Sequence, residues 1–301
     1  MTQRRRSYLN RQKRFWLMLE IVLGAAFLVM VAIIAMRALG QADIAREETE
    51  ARQMVEVMTD AGQQEVFSEQ TESVSGVVEP KMLEYFEPLA EINDDIAGLV
   101  EFGQDMALYV AQGSDNEYYM THKLDRSETP AGMIYLDYAC SIYPASDNLI
   151  LYGHNMGDGS RFGTLKRFES LKHLREYPVI RFTTLYEPAN YVIVAVYHTS
   201  MTPTDAHYID YREIDFETTY DFEQYLTTAR DASIYDIPVD VRPEDQLLTM
   251  LTCSNEVEDR GRLVVLCRKQ RDGETVQNVH DWMAQAREKE PVYPSQKNLS
   301  A

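Results

Sequence analysis

From Phe15 to Met36 the chain reads FWLMLEIVLGAAFLVMVAIIAM, apolar throughout except for Glu20. At ~1.5 Å per residue a helix of this length crosses a ~30 Å hydrocarbon core, so the segment is read as one membrane helix. A cleavable signal is the competing reading. It is disfavoured because the apolar stretch outruns a typical signal core and ends at Met36-Arg37-Ala38, a poor cleavage site. Arg4, Arg5, Arg6, Arg11, Lys13 and Arg14 precede the helix, and after Arg37 comes a run dominated by Glu and Asp. The positive-inside rule then keeps the N-terminus in the cytoplasm and exports the chain beyond the helix.

The expected organisation is a basic cytoplasmic tail (1–14), the membrane helix (15–36), an extracellular stalk (37–80), a folded domain (81–285) and a short tail (286–301). The stalk is rich in Glu, Gln, Thr and Ser without a strong apolar run; its 40 or so residues would reach ~60 Å if helical. The net charge is −19, and most of the basic cluster is assigned to the cytoplasm, so the exported part is more acidic still. Nucleic-acid binding is disfavoured. Attraction of amine-bearing partners and plain solubility are equally good readings of the charge.

Past residue 81 the pattern changes. KMLEYFEPLAEIN has helical spacing, after which MALYVAQG, GMIYLDYA, NLILYGH, YVIVAVYH, QLLTMLTC and RLVVLCRK are short apolar or alternating runs bounded by turn residues. These read as strands. One sizeable helix is expected over Phe216 to Ala229, and LKRFESLKHLREY suggests a further helical turn or two. The fold class is therefore mostly β with added helices, a barrel or sandwich preceded by a single transmembrane helix.

A thiol nucleophile needs an exposed position, a nearby base or cation and donors for an oxyanion. Of the three cysteines, Cys253 has that setting: it closes a strand-like run, a polar turn comes after it, and the next strand opens at Arg262. Cys140 and Cys267 lie in apolar surroundings and suit a buried or paired structural role. Of the six histidines, His154 and His198 both close strand-like runs, and local reasoning leaves both open, with a modest lead for His154 from the Gly-rich loop just after it. No close spacing of His, Cys and carboxylates suggests a metal site, no EF-hand-like loop is present, and no cofactor is implied.

Tyr152-Gly153-His154-Asn155-Met156, then Leu248-Thr249-Met250-Leu251-Thr252-Cys253, then Arg262-Leu263-Val264-Val265 resemble the sortase pattern of a YGH-type histidine, a TLxTC cysteine and an R-x-V-V arginine. Ile92 to Asp95, Gln112 to Tyr119 and Gly132 to Tyr138 resemble class B segments, so the resemblance covers about residues 81 to 270. Gly98-Leu99 and LYVAQG depart from the usual class B residues at positions that touch packing. The resemblance implies a sortase-like eight-stranded β-barrel and a cysteine transpeptidase that cleaves a C-terminal sorting motif of secreted proteins after Thr. The acyl group would pass through a Cys253 thioester to an amine of peptidoglycan or a pilin lysine, with His154 as acid and base and Arg262 on the oxyanion. Arg260 competes with Arg262, and only the Leu-Val-Val run favours the latter. The resemblance further implies substrate contacts from Thr252, Ser254, Asn93 and Tyr152. A cysteine hydrolase of wall peptides and a non-catalytic anchored scaffold are the alternatives.

A thiol and an imidazole with ordinary pKa values of ~8.5 and ~6.5, titrating independently, leave ~1% of sites as thiolate plus imidazolium near neutral pH. That ~2.7 kcal/mol penalty is removed if the site couples the two protons, and a bell-shaped pH profile is expected of such a pair.

Overall fold

The computed structural model describes residues 3–65, 80–103, 106–254 and 261–297. Helix α1 (Gln3–Glu65) is continuous, and an apolar window within Phe15–Met58 has a mean hydropathy of 2.7 and none of its surface buried, which makes it a candidate membrane span. The chain divides into two units, Met1–Glu47 and Glu48–Ala301.

In the second unit a short helix α2 (Glu87–Ile92) leads into β1 (Ile96–Phe102), β2 (Met106–Ala111), β3 (Ile134–Leu136) and β4 (Asn148–Tyr152). Next come helix α3 (Leu171–Glu176), β5 (Val179–Thr184), β6 (Pro188–Thr199), α4 (Thr219–Ala232) and β7 (Tyr235–Asp236). The chain ends with β8 (Leu247–Ser254), β9 (Gly261–Lys269), α5 (Val276–Gln285), β10 (Arg287–Glu288) and α6 (Pro294–Lys297). Eight strands close a barrel in the order β1-β2-β3-β4-β8-β9-β6-β5, while β7 pairs with β10 apart from it. Pairs β2–β3 and β4–β8 are parallel and the other described barrel pairs antiparallel.

Strands β2, β3, β4, β6, β8 and β9 read as apolar runs because both of their faces are largely covered. Leu263 to Cys267 on β9 are all fully buried. On β8, Met250 and Thr249 are equally buried, and the Thr249 hydroxyl lies 3.2 Å from the Tyr225 hydroxyl of α4, so that helix covers one face. Helix α4 begins where the Thr218 side chain accepts from Asp221 N, and it buries Phe222, Tyr225, Leu226 and Ala229, the i, i+3, i+4, i+7 stripe of an amphipathic helix. It starts later than the sequence pattern suggests, leaving Phe216 outside it and Tyr220 exposed.

Strands β1 and β5 were not among the runs singled out from sequence. Each carries one charge: Glu101 and Arg181 are direct cross-strand partners, 3.5 Å apart at Oε2 and Nε, so one charge answers the other. Burial pushes the Glu101 pKa up, and Arg181 opposes that shift. Gly98 lies where β1 and β5 approach so closely that a Cβ would meet the Thr183 carbonyl.

The boundaries also differ from the expected ones. Ala51, Met54, Val55 and Met58 form a helical stripe on α1 that packs with Phe86, Leu99 and Tyr109, so the last turns assigned to a stalk join the folded unit. At the other end the expected tail is integrated too: Arg287 and Glu288 pair with Asp236 and Tyr235, and the buried Tyr293 donates its hydroxyl to the His198 carbonyl at 3.2 Å.

Candidate active site

Four neighbouring strands bring the candidate residues to one end of the barrel. Cys253 on β8 is the register partner of Arg262 on β9, which pairs in turn with Thr199 on β6. On the other side Tyr152 of β4 pairs in parallel with Leu251, so His154 and Cys253 each lie two residues beyond matched positions. Register partners project to the same face. Cys253 and Arg262 therefore stand side by side, with the His154 loop entering from β4.

Local bonds fix that loop against the strand that carries Cys253. Gly153 N donates to Leu251 O at 3.2 Å, the Thr252 hydroxyl donates to Gly153 O at 3.0 Å, and Asn155 Nδ2 donates to the Cys253 carbonyl at 2.8 Å. Glycine is required at 153, where a Cβ would press on the Phe162 ring and the Ile134 side chain. His154 Nε2 lies 2.7 Å from the Met120 carbonyl. A carbonyl only accepts, so Nε2 carries the hydrogen and Nδ1 is the basic nitrogen.

The three cysteines are free thiols, and only Cys253 is exposed. Burial pushes the Cys140 thiol up to about 12 and holds Cys267 well above the ordinary thiol range, which keeps both protonated and inert. Arg262 is half-buried and donates Nη1 to Gly261 O at 3.1 Å. Beside it stands an aromatic wall. Tyr135 stacks on Tyr152 with ring centroids 5.2 Å apart, and burial pushes the Tyr135 hydroxyl up to about 12 against an opposing pull from Arg262. Tyr211 is likewise raised by burial and opposed by Arg262.

The structure separates the two histidines. His198 pairs with Leu263, so it projects to the face opposite Cys253 and Arg262, where Nδ1 lies 3.0 Å from the Ser254 hydroxyl and Nε2 lies 3.5 Å from Glu169. Arg260 falls outside the described residues.

Of the four expected substrate contacts, three have their side chains in the scaffold. Thr252 and Ser254 are buried, holding Gly153 and His198 respectively. Asn93 is buried as well; it donates to the Tyr119 hydroxyl at 2.8 Å and to Leu124 O at 2.9 Å, which steadies the turn whose Met120 carbonyl holds His154. Tyr152 is half-buried, with its hydroxyl donating to Asp137 Oδ2 at 2.8 Å. Asn155 was not singled out, although its place directly after His154 in the motif was a usable signal.

The family description "Sortase domain" matches residues 105–270, more than half of the chain. The chain belongs to the sortase family. Within it the chain is class B-like: it is 32% identical over 197 residues to sortase B of Listeria monocytogenes, covering 65% of this chain and 76% of that protein. Sortase B of Staphylococcus aureus is 28% identical over 185 residues, covering 61% and 73%. A Bacillus anthracis sortase B structure in complex with AAEK1 superposes with a TM-score of 0.61 at 25% identity, covering 77% of this chain and 99% of that one. A Staphylococcus aureus sortase B–substrate complex superposes at 0.65 with 22% identity, covering 78% and 100%, which bears on the fold alone. The protein is thus a sortase-type cysteine transpeptidase.

Proposed function

We propose that Cys253, His154 and Arg262 are the catalytic residues, and that the enzyme cleaves secreted proteins after Thr in a C-terminal sorting motif and transfers them to a cell-surface amine. The observation that carries this reading is the row itself: one exposed thiol, a guanidinium directly across the strand pair, and a histidine loop bonded to the thiol's own carbonyl.

In the proposed reaction the Cys253 thiolate attacks the Thr carbonyl carbon, and Arg262 together with backbone N–H groups near Thr252 or Ser254 stabilises the oxyanion. As the C–N bond breaks, His154 donates a proton from Nδ1 to the departing amine, leaving a thioester. An incoming amine attacks that thioester, its proton passes to Nδ1, and the Cys253 thiolate leaves as the new amide forms. Thr252, Ser254 and Asn93 act through the backbone and loops they fix, whereas Tyr152 lines the approach to Cys253. The acceptor is an amine of peptidoglycan or a lysine of a pilin.

The basic residues before Phe15 and the acidic character of the chain after Arg37 support a single-pass anchor with a cytoplasmic N-terminus and an extracellular catalytic unit. The experiment is mass spectrometry of the enzyme incubated with sorting peptides and an amine. A peptide-Cys253 thioester and an amide product are expected; predominant hydrolysis at saturating amine would establish a cysteine hydrolase instead.

A further inference from the structure

The carbonyl that holds His154 belongs to Met120, whose own side chain is exposed and does not fix the residue in place. Its placement comes from its neighbours. Tyr119, one residue earlier, is fully buried; its hydroxyl donates to Asp95 Oδ2 at 2.6 Å and accepts from Asn93 Nδ2 at 2.8 Å. Burial first, and then the bond to Asp95, hold this phenol well above its ordinary pKa, so it stays protonated and keeps donating. On the other side of Met120, the Thr121 carbonyl accepts from Thr129 N at 2.8 Å.

A second segment crosses the same turn. Thr129-Pro130-Ala131-Gly132 closes through Gly132 N and Thr129 O at 3.1 Å, and Met133 N then donates to Tyr119 O at 3.0 Å. Gly132 lies in the left-handed region at φ +50°, where glycine is favoured. A Cβ there would stand 2.5 Å from both the Tyr119 and the Met120 carbonyl oxygens. Such a contact forces the backbone to move, and one of the two atoms in its way is the oxygen that lies 2.7 Å from His154 Nε2. Glycine at 132 therefore lets this segment pass without displacing the histidine's partner. Gly273 makes a useful contrast: its φ is +83°, yet nothing lies within 4 Å of the place a Cβ would take.

The bond set up in this way has a chemical consequence. A carbonyl accepts from Nε2–H whether the ring is neutral or charged, so it leaves Nδ1 as the nitrogen that gains and loses the proton and it steadies the imidazolium. Met120 contributes only a backbone atom to this. The side chains that place that atom are those of Tyr119 and its partners, together with the absence of one at Gly132.

We propose that Gly132 and Tyr119 are positioning residues for His154, acting through the Met120 carbonyl so that the ring offers Nδ1 to the transfer reaction. The inference rests on the acid–base reading of His154 above. Its test uses the full chain in detergent micelles, isotope-labelled at histidine nitrogen, with the His154 signal identified by its loss in His154→Gln. In the wild type the Nε2 hydrogen should be bound and slow to exchange with solvent. Gly132→Ala should speed that exchange about tenfold and lower kcat for transfer from a sorting peptide to glycinamide about tenfold, with KM within about twofold and thiol labelling of Cys253 unchanged. Gly273→Ala makes the same backbone demand with no carbonyl to displace, and should match the wild type in both readings. Tyr119→Phe removes one hydroxyl and keeps the ring; it should move both readings in the direction of Gly132→Ala by a smaller factor, and it decides the question if Gly132→Ala does not fold. The proposal is overturned if the wild-type Nε2 hydrogen exchanges as fast as that of a free imidazole, if its exchange is unchanged in the variants, or if Gly273→Ala loses as much kcat as Gly132→Ala. Faster exchange with an unchanged kcat would instead uphold the positioning and refute His154 as the acid and base.

Discussion

Arg262 and Arg268 lie on one strand, at the two ends of the β8–β9 pair, an even number of residues apart and so on the same face. Their surroundings differ in kind. Arg268 is completely buried: its guanidinium meets Glu274 at 2.5 and 2.7 Å, donates Nε to Asp240 O at 2.9 Å, and lies 5.5 Å from the Trp282 ring centroid. Arg271 extends the network to Asp245 at 2.6 Å and Asp240 at 2.8 Å. Arg262 is half-buried, beside an exposed thiol and tyrosine hydroxyls. At one end the guanidinium is enclosed by carboxylates of the fold; at the other it stands half-buried in register with the exposed thiol of Cys253. The same residue type on the same strand is enclosed and ion-paired at one end and half-buried beside an exposed thiol at the other.

The largest expected effect is at the exposed thiol. Cys253→Ala should lower thioester formation and transfer by more than ~10⁴-fold, with stability unchanged because the side chain is exposed. Single-turnover trapping by mass spectrometry reads the first effect and thermal unfolding the second; residual thioester at Cys140 or Cys267 would dismantle the site. The paired arginine substitutions come next. Arg268→Ala should cost about 3–5 kcal/mol of stability by orphaning buried carboxylates, while molecules that remain folded keep their turnover. Arg262→Ala should do the reverse, lowering kcat by ~10²–10³-fold with a stability change below ~1 kcal/mol. If both variants lost stability equally, the distinction between the two ends would be void. Asn155→Ala removes the bond from the histidine loop to the Cys253 carbonyl and should reduce kcat about tenfold without loss of reactive thiol, measured by kinetics alongside thiol labelling.

How legible this was in the sequence depends on the range of the interactions. Strands β2, β3, β4, β6, β8 and β9 were visible as apolar runs, because local composition reports burial on both faces. Strands β1 and β5 were not, since Glu101 and Arg181 look like loop residues until each is seen opposite the other. Likewise the stripe of Ala51, Met54, Val55 and Met58 is only four residues in an acidic helix, and its partner Phe86 lies far along the chain. The exposed thiol was recognisable from its strand-end position. The choice of His154 over His198 required the family pattern, because which face each projects to depends on the pairing of β4 with β8 and β6 with β9, over long separations. Burial of Thr252 and Ser254 was in principle readable: if Cys253 faces outward on a strand, its neighbours must face the other way.

The smallest expected effect concerns acid. Burial is the largest single influence on the Glu274 carboxyl and acts to raise it, but the hydrogen bonds from Arg268 and from Arg271 N, together with the charges of both arginines, outweigh it, and the net result lies below the usual glutamate range. Hydrogen bonding from Arg271 chiefly lowers Asp240. A carboxyl with a depressed folded pKa contributes stability that is complete above its unfolded value and disappears as the pH falls through the folded value. The Arg268 end should therefore loosen as the pH drops below the ordinary carboxylate range near ~4, because the folded state must then take up protons it had excluded. Glu274→Gln removes one such group: the variant should be less stable than wild type at pH 7, and the gap should narrow as the pH is lowered toward 3. Thermal unfolding across that range measures it, with Tyr220→Phe, an exposed position on α4, as the reference substitution. A gap that stays constant with pH would mean that Glu274 does not gain its stabilisation from charge, and the contrast between the two arginines would then rest on burial alone.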